Sequence, residues 1–207
     1  LLEGHSRLEY RGYDSAGIAV YSEKRQGVEV FKAKGRLQVL SDMLQGGASV
    51  DGTVGIGHTR WATHGAPSDV NAHPQVSRSG KIAVVHNGII ENYAELKSFL
   101  MEQGVPFTSE TDTEVVAKLI EYFYEQDQVD ILEAVGRCLR RIEGAYALGI
   151  LCADAPDQLI AVRKDSPLIL GYGKGCSFLA SDVTAIIKHT REVGYMEDGE
   201  VAVLTRE

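Results

Sequence analysis

Residues 81–104, KIAVVHNGIIENYAELKSFLMEQG, change their hydrophobic period partway along. Residues 81–86 form a short apolar run of the kind that makes a buried strand. From Glu91 onward, Tyr93, Leu96, Phe99 and Leu100 recur at helical spacing and stop at Gly104. A strand therefore hands over to a helix. Upstream, residues 16–21, 28–32 and 53–58 read as strands bounded by Gly, Asp and Ser. One short amphipathic helix over 36–44 interrupts them and ends at Gly46-Gly47. Downstream, Thr111-Asp112-Thr113-Glu114 has the T-x-x-E form of a capping box, with Val115, Val116, Leu119, Ile120 and Phe123 following at helical spacing. A third helix is expected over about 130–142, then strands over 145–152, 158–162, 168–171, 177–180 and 200–204, with a short helix at 183–188. Two groups of antiparallel strands separated by helices predict an α+β fold with helices packed on sheets in segregated layers, not a doubly wound parallel sheet. No linker, repeat or low-complexity tract divides the chain, so residues 1–207 read as one domain.

Composition narrows the function classes. The 207 residues are 44% apolar, enough for a sizeable core. With 21 Lys and Arg against 29 Asp and Glu the net charge is -8, which argues against a sequence-independent grip on nucleic acid. The longest apolar runs fall far short of the roughly 20 residues a membrane span needs. The first five residues carry neither a basic nor an apolar signal region, so no secretory signal is expected and the location is read as cytoplasmic. Cys138, Cys152 and Cys176 are odd in number and contain no C-x-x-C pair, which suits a reducing compartment and neither a disulfide framework nor a zinc ribbon.

The unusual chemistry sits in four stretches: residues 9–17, 58–65, 86–88 and 109–114. Asn87-Gly88 lies between two apolar runs, where Asn-Gly is the usual two-residue hairpin turn. The same pair of N–H donors side by side at a strand end also suits an oxyanion hole, and both readings can hold together. Arg60 offers a planar fork that matches a carboxylate, although an Arg-Trp pair is also an ordinary surface stack. Trp61, the sole tryptophan, could lid a ligand. Asp112 sits well against a helix macrodipole and needs no further role, yet it could hold an ammonium group. Arg60 and Asp112 together would clamp the two ends of a free amino acid. His58, His64 and His73 show no metal-ligand spacing, so no metal is expected. Gly171-Tyr172-Gly173-Lys174-Gly175 lacks the spacing of a phosphate loop and reads as a hairpin connection.

Taken together, the four stretches resemble the glutamine amidotransferase domain of the class that uses an N-terminal cysteine, and within that class its hexosamine-forming branch. The match covers practically the whole chain, through residues 8–17, 58–65, 71–74, 86–92 and 109–114. The purine-pathway branch favours Gln where Tyr13 stands and Tyr or a smaller residue where Trp61 stands. The resemblance implies the four-layer αββα sandwich of N-terminal nucleophile hydrolases and a glutaminase that needs no cofactor. It implies an oxyanion hole at Asn87 and Gly88 and an α-carboxylate clamp at Arg60. It also implies an α-amino contact at Asp112, a pocket wall at Thr63 and His64, a mobile loop at Trp61, and a supporting role for Arg11. The nucleophilic cysteine and its strand would lie upstream of Leu1, so the chain as given is expected to recognise glutamine without hydrolysing it, and to leave a sheet edge unpaired. Implied partners are L-glutamine, a following sugar isomerase region that turns fructose-6-phosphate into glucosamine-6-phosphate with the released ammonia, and a second copy in a homodimer. Neither nucleic acid nor membrane is expected as a partner. The rival readings are a purine-pathway phosphoribosyl-pyrophosphate amidotransferase and a catalytically silent amino-acid-binding regulatory domain.

Overall fold

A computed structural model describes residues 1–205. The first layer holds a short helix α1 (Leu2–Ser6) and α2 (Leu37–Met43), which lie on a sheet built from β1 (Ser15–Ser22), β2 (Gly27–Lys34) and β3 (Gly55–Arg60) in the order β2-β1-β3. β1 is apolar along nearly its whole length because it is covered on both sides. Side chains alternate across a strand. Ile18 and Val20 pack with Leu37, Leu40 and Leu44 beside α2, while Ala19 faces the second sheet together with Ile56 of β3.

The second sheet has five antiparallel strands in the order β11-β7-β6-β5-β4, made of β4 (Gln75–Val76), β5 (Ile82–Ile90), β6 (Gly144–Cys152), β7 (Leu159–Lys164) and β11 (Val201–Leu204). Its inner face, with Ala83 and Leu151, meets β1 and β3. Its outer face carries α3 (Tyr93–Glu102), α4 (Asp112–Gln126) and α5 (Ile131–Leu139), whose apolar stripes bury Leu96, Leu100, Val116, Leu119, Ile120 and Val135 against Ile82, Val84, Leu148 and Ile150. Each fully buried aliphatic side chain of this kind contributes about 1.5–3 kcal/mol. A smaller sheet, β10-β8-β9, made of β8 (Ile169–Gly173), β9 (Cys176–Ala180) and β10 (Glu192–Tyr195), packs Leu170 and Leu179 over Ala147 and Ala161 of the five-stranded sheet. The order helix, sheet, sheet, helix is the αββα sandwich. No helix among the described residues is long and apolar enough to cross a membrane.

Several expectations need correction. Asn87-Gly88 is not a turn. β5 runs through it to Ile90, and the strand pairs with β6 at Asn87↔Ala147 and Gly88↔Tyr146. The capping box is half formed. Thr111 Oγ1 accepts from the Glu114 N–H at 3.3 Å, but the Glu114 carboxylate turns to Thr108, Ser109 and Lys118 instead. The third helix stops at Leu139, and the expected helix at 183–188 is a single 3-10 turn over Val183–Ala185. Gly171–Gly175 is the expected hairpin, joining β8 to β9. Among the described residues β3 pairs only with β1 and β9 only with β8, so each has one edge without a ladder partner there. Both strands line a common cavity.

Candidate active site

The cavity has a volume of about 490 Å³ and lies between the two sheet layers. That size falls within the range of small-molecule sites. Strand alternation decides what faces it. Ile56 of β3 points at the second sheet, so His58 and Arg60, two and four residues on, share that face. On β5, Ala83 and Val85 face inward and Asn87 continues the same row, while His86 turns the other way to meet Thr113 of α4. The start of α4 brings Thr111 and Asp112 to the cavity wall. The structure thus places Arg60, Asn87, Gly88 and Asp112 on one cavity, along with Trp61, Thr63, His64 and Arg11.

Arg60 ends β3 and is almost fully buried. Its Nη2 donates to the carbonyls of His64 and Gly65, the latter at 3.0 Å, which pins the loop after the strand around the guanidinium. Its Nη1 is shut off from solvent and has no hydrogen-bond partner among the described residues. A buried donor left unpaired costs about 1–3 kcal/mol or more. Burial lowers the Arg60 pKa, and the charges of Asp14 and Asp112 oppose the shift. Asp112 is itself buried, and its Oδ2 accepts the Ile90 N–H at 2.9 Å and lies 3.9 Å from His86 Nδ1. The carboxylate therefore ties the first turn of α4 to the strand that carries Asn87 and Gly88.

Gly88 has φ +117°, a left-handed value that favours glycine, and a Cβ there would lie 2.0 Å from the carbonyl oxygen of Ala145. No side chain fits. Asn87 Oδ1 is 2.7 Å from His58 Nε2 across the gap between the sheets. At the mouth, Trp61 is exposed and meets Tyr13 edge-on at 5.2 Å, while the His64 ring packs against Tyr93 at 5.1 Å. Arg11 pairs with Asp182 and donates to the Tyr10 hydroxyl at 2.7 Å, so it links the segment before β1 to the loop after β9.

Two features escaped the sequence reading. Asp14 holds the corner after Arg60 by accepting the Ala62 N–H, while its own N–H donates to the Arg60 carbonyl at 3.2 Å. Gly12 is required beside it, because a Cβ would lie 2.7 Å from the Thr59 carbonyl oxygen. The second feature is a convergence of imidazoles. The rings of His58 and His73 meet at 4.5 Å, tilted by 37°, and Thr113 Oγ1 bridges His73 Nε2 at 3.2 Å and His86 Nδ1 at 3.0 Å. Burial pushes all three pKa values down, His58 to about 4, so the rings are neutral near pH 7. Among the described residues no group of three or more His, Cys, Asp or Glu side chains is placed to hold a metal ion. Cys138 and Cys152 are buried and Cys176 is exposed, and none of them lines the cavity. Burial pushes the Cys138 and Cys152 thiols up, away from the nucleophilic thiolate.

Residues 58–188 match the glutamine amidotransferase domain family, and the chain belongs to it. Over all 207 residues it is 57% identical to the glutamine–fructose-6-phosphate aminotransferase [isomerizing] of Caldanaerobacter subterraneus subsp. tengcongensis, and 54% identical to the enzyme of the same name from Clostridium perfringens. Those matches cover 100% of this chain and 33% of each relative, so the chain spans about a third of the length of the curated relatives it matches. Among solved structures, the glutamine phosphoribosylpyrophosphate amidotransferase from B. subtilis superposes with a TM-score of 0.81 at 27% identity, over 99% of this chain and 44% of that one. The four-layer sandwich is therefore the fold of N-terminal nucleophile amidotransferases.

Proposed function

We propose that this chain is the glutaminase module of a glutamine–fructose-6-phosphate aminotransferase. In this reading L-glutamine enters the cavity with its α-carboxylate on the Arg60 guanidinium and its ammonium on Asp112. The side-chain carboxamide then lies beneath the Asn87 amide and the Gly88 N–H. A cysteine thiolate adds to the carboxamide carbon, and the two donors take up the negative charge that builds on oxygen. Expulsion of the amine as ammonia, with a proton delivered by the nucleophile's own α-amine, leaves a γ-glutamyl thioester. Water then cleaves the thioester to glutamate and restores the thiol. By family resemblance the thiol is that of an N-terminal cysteine, and Cys138, Cys152 and Cys176 are not among the residues that line the cavity. The ammonia would pass to a sugar isomerase region of the same polypeptide, which binds fructose-6-phosphate, in a cytoplasmic homodimer that uses no cofactor. Thr63 and His64 would wall the pocket, Trp61 would close over glutamine, and Arg11 would brace the nucleophile's segment.

The observation that carries this reading is a buried arginine, an acid and the Asn-Gly pair lining one cavity. Calorimetric titration of the chain tests it. L-glutamine is expected to bind and D-glutamine to bind much more weakly, because the clamp fixes three points around one chiral carbon. Arg60→Ala is expected to weaken L-glutamine binding about 10- to 100-fold, the loss expected for charge-assisted hydrogen bonds to a carboxylate. Equal affinity for the variant and the parent would rule out the clamp.

A further inference from the structure

We propose that His58 is a positioning residue for the oxyanion site: its Nε2–H donates to Asn87 Oδ1 and thereby turns the Asn87 amide NH₂ toward the cavity. The proposal rests on the reading of Asn87 as an oxyanion donor and deepens it.

The side chains come from different layers. His58 stands on β3 opposite Gly17 of β1, and Asn87 stands on β5 opposite Ala147 of β6, yet Nε2 and Oδ1 are 2.7 Å apart. An asparagine amide can present either oxygen or nitrogen to such a partner, and only one choice leaves N–H groups for an oxyanion. The environment of the ring decides between them. A neutral imidazole has one N–H. His58 Nδ1 is sealed from solvent and has no hydrogen-bond partner among the described residues. With the proton on Nδ1, that buried donor would be unsatisfied and Nε2 would have to accept from Asn87, which uses the amide NH₂ on the wrong side. With the proton on Nε2, the only bare position is a lone pair, which is tolerated more readily than an orphaned N–H. The Nε2–H tautomer and the productive amide orientation therefore select each other.

The ring is itself held in place. The His73 ring packs against it, centroids 4.5 Å apart and tilted by 37°, and the Nε2 of His73 is in turn held by Thr113 Oγ1, which also meets His86 Nδ1. Thr113 is the residue after Asp112. One chain of contacts thus connects the first turn of α4, which carries the proposed ammonium contact, to the proposed oxyanion donor.

Two measurements test the proposal. Long-range ¹H–¹⁵N spectra of the chain are expected to show His58 as the Nε2–H tautomer near neutral pH. A proton on Nδ1 would overturn the assignment, whatever the activity. In the full polypeptide with its thiol, His58→Leu is expected to lower kcat for glutamine hydrolysis about tenfold while KM changes less than threefold, and His58→Gln, which keeps a donor near the Nε2 position, should recover most of the rate. The double variant His58→Leu/Asn87→Ala should be no slower than Asn87→Ala alone, because residues that act as a unit are not additive. Independent, multiplying losses would mean that His58 does not act through Asn87. If Asn87→Ala alone left kcat unchanged, the oxyanion reading itself would fall and this proposal with it.

Discussion

Replacement of Asn87 by Ala is expected to lower kcat for glutamine hydrolysis by about 100- to 1000-fold, the usual cost of removing one oxyanion donor. The reason is differential. In the ground state the carboxamide oxygen carries little charge and the donor adds little to binding, whereas in the tetrahedral intermediate the oxygen is anionic and the donor counts fully. Affinity for L-glutamine should therefore stay within a few-fold of the parent, since Arg60 and Asp112 supply the binding. Gly88 would remain as the second donor, on a backbone fixed by its φ of +117° and by the close approach of Ala145. Steady-state kinetics on the polypeptide that carries the thiol, together with calorimetry on the same variant, separate the two effects. A variant that keeps full kcat, or that loses binding in proportion to rate, would remove Asn87 from the oxyanion role.

Glu114→Ala should produce the largest loss of stability, about 3–5 kcal/mol, because it leaves a buried charge without its partner. Glu114 and Lys118 are both nearly fully buried, with Oε1 and Nζ 2.5 Å apart. The carboxylate also accepts the Thr108 N–H at 2.9 Å and the Ser109 N–H at 2.6 Å, so truncation strips the Lys118 ammonium of its counter-charge, leaving it only the Pro106 carbonyl among hydrogen-bond partners, and orphans two amides. For a chain of this length the melting temperature should fall on the order of 10 °C, read by thermal circular dichroism. Burial alone would raise the Glu114 pKa, but Lys118 and the Thr108 and Ser109 donors outweigh it, and the net shift is downward. A carboxylate depressed in the folded state stabilises it fully above the unfolded pKa of about 4.3, and that contribution disappears as pH falls through the lower folded value. The parent should lose stability below about pH 4.3, and the variant should lose less over the same interval. A melting temperature unchanged at pH 7 would show that the pair contributes nothing. The same carboxylate anchors the loop leading into Thr111 and Asp112, so a looser site should accompany the lower melting temperature.

The helices were legible because their apolar stripes are long. Val115, Val116, Leu119 and Ile120 announce α4, and all of them are buried. The site was legible in its residues and less so in its geometry. Ending the third strand at His58 and the next at His86 puts Arg60 just beyond a strand and Asn87 in a turn. Carrying each strand a few residues further, with alternation, puts 56, 58 and 60 on one face and 83, 85 and 87 on the facing one. The interleaved glycines of Gly55-Ile56-Gly57-His58 hide that alternation, since glycine has no side chain to mark a face. β4, with two residues, has no period to read, and β10, Glu192-Val193-Gly194-Tyr195, carries one aliphatic side chain. The contact of His58 with Asn87 joins residues 29 apart in sequence on separate layers, and no local spacing encodes it. Asp14 was hidden for the same reason, since its partner Ala62 lies 48 residues away.

Trp61 gives the protein a built-in optical reporter. It is the chain's only tryptophan, it sits at the cavity mouth, and it is 60% exposed against the edge of Tyr13. Indole emission therefore comes from one place, with no background from the core, and its colour and quenching report how wet that entrance is. Occupancy of the mouth can be followed in real time without attaching a dye.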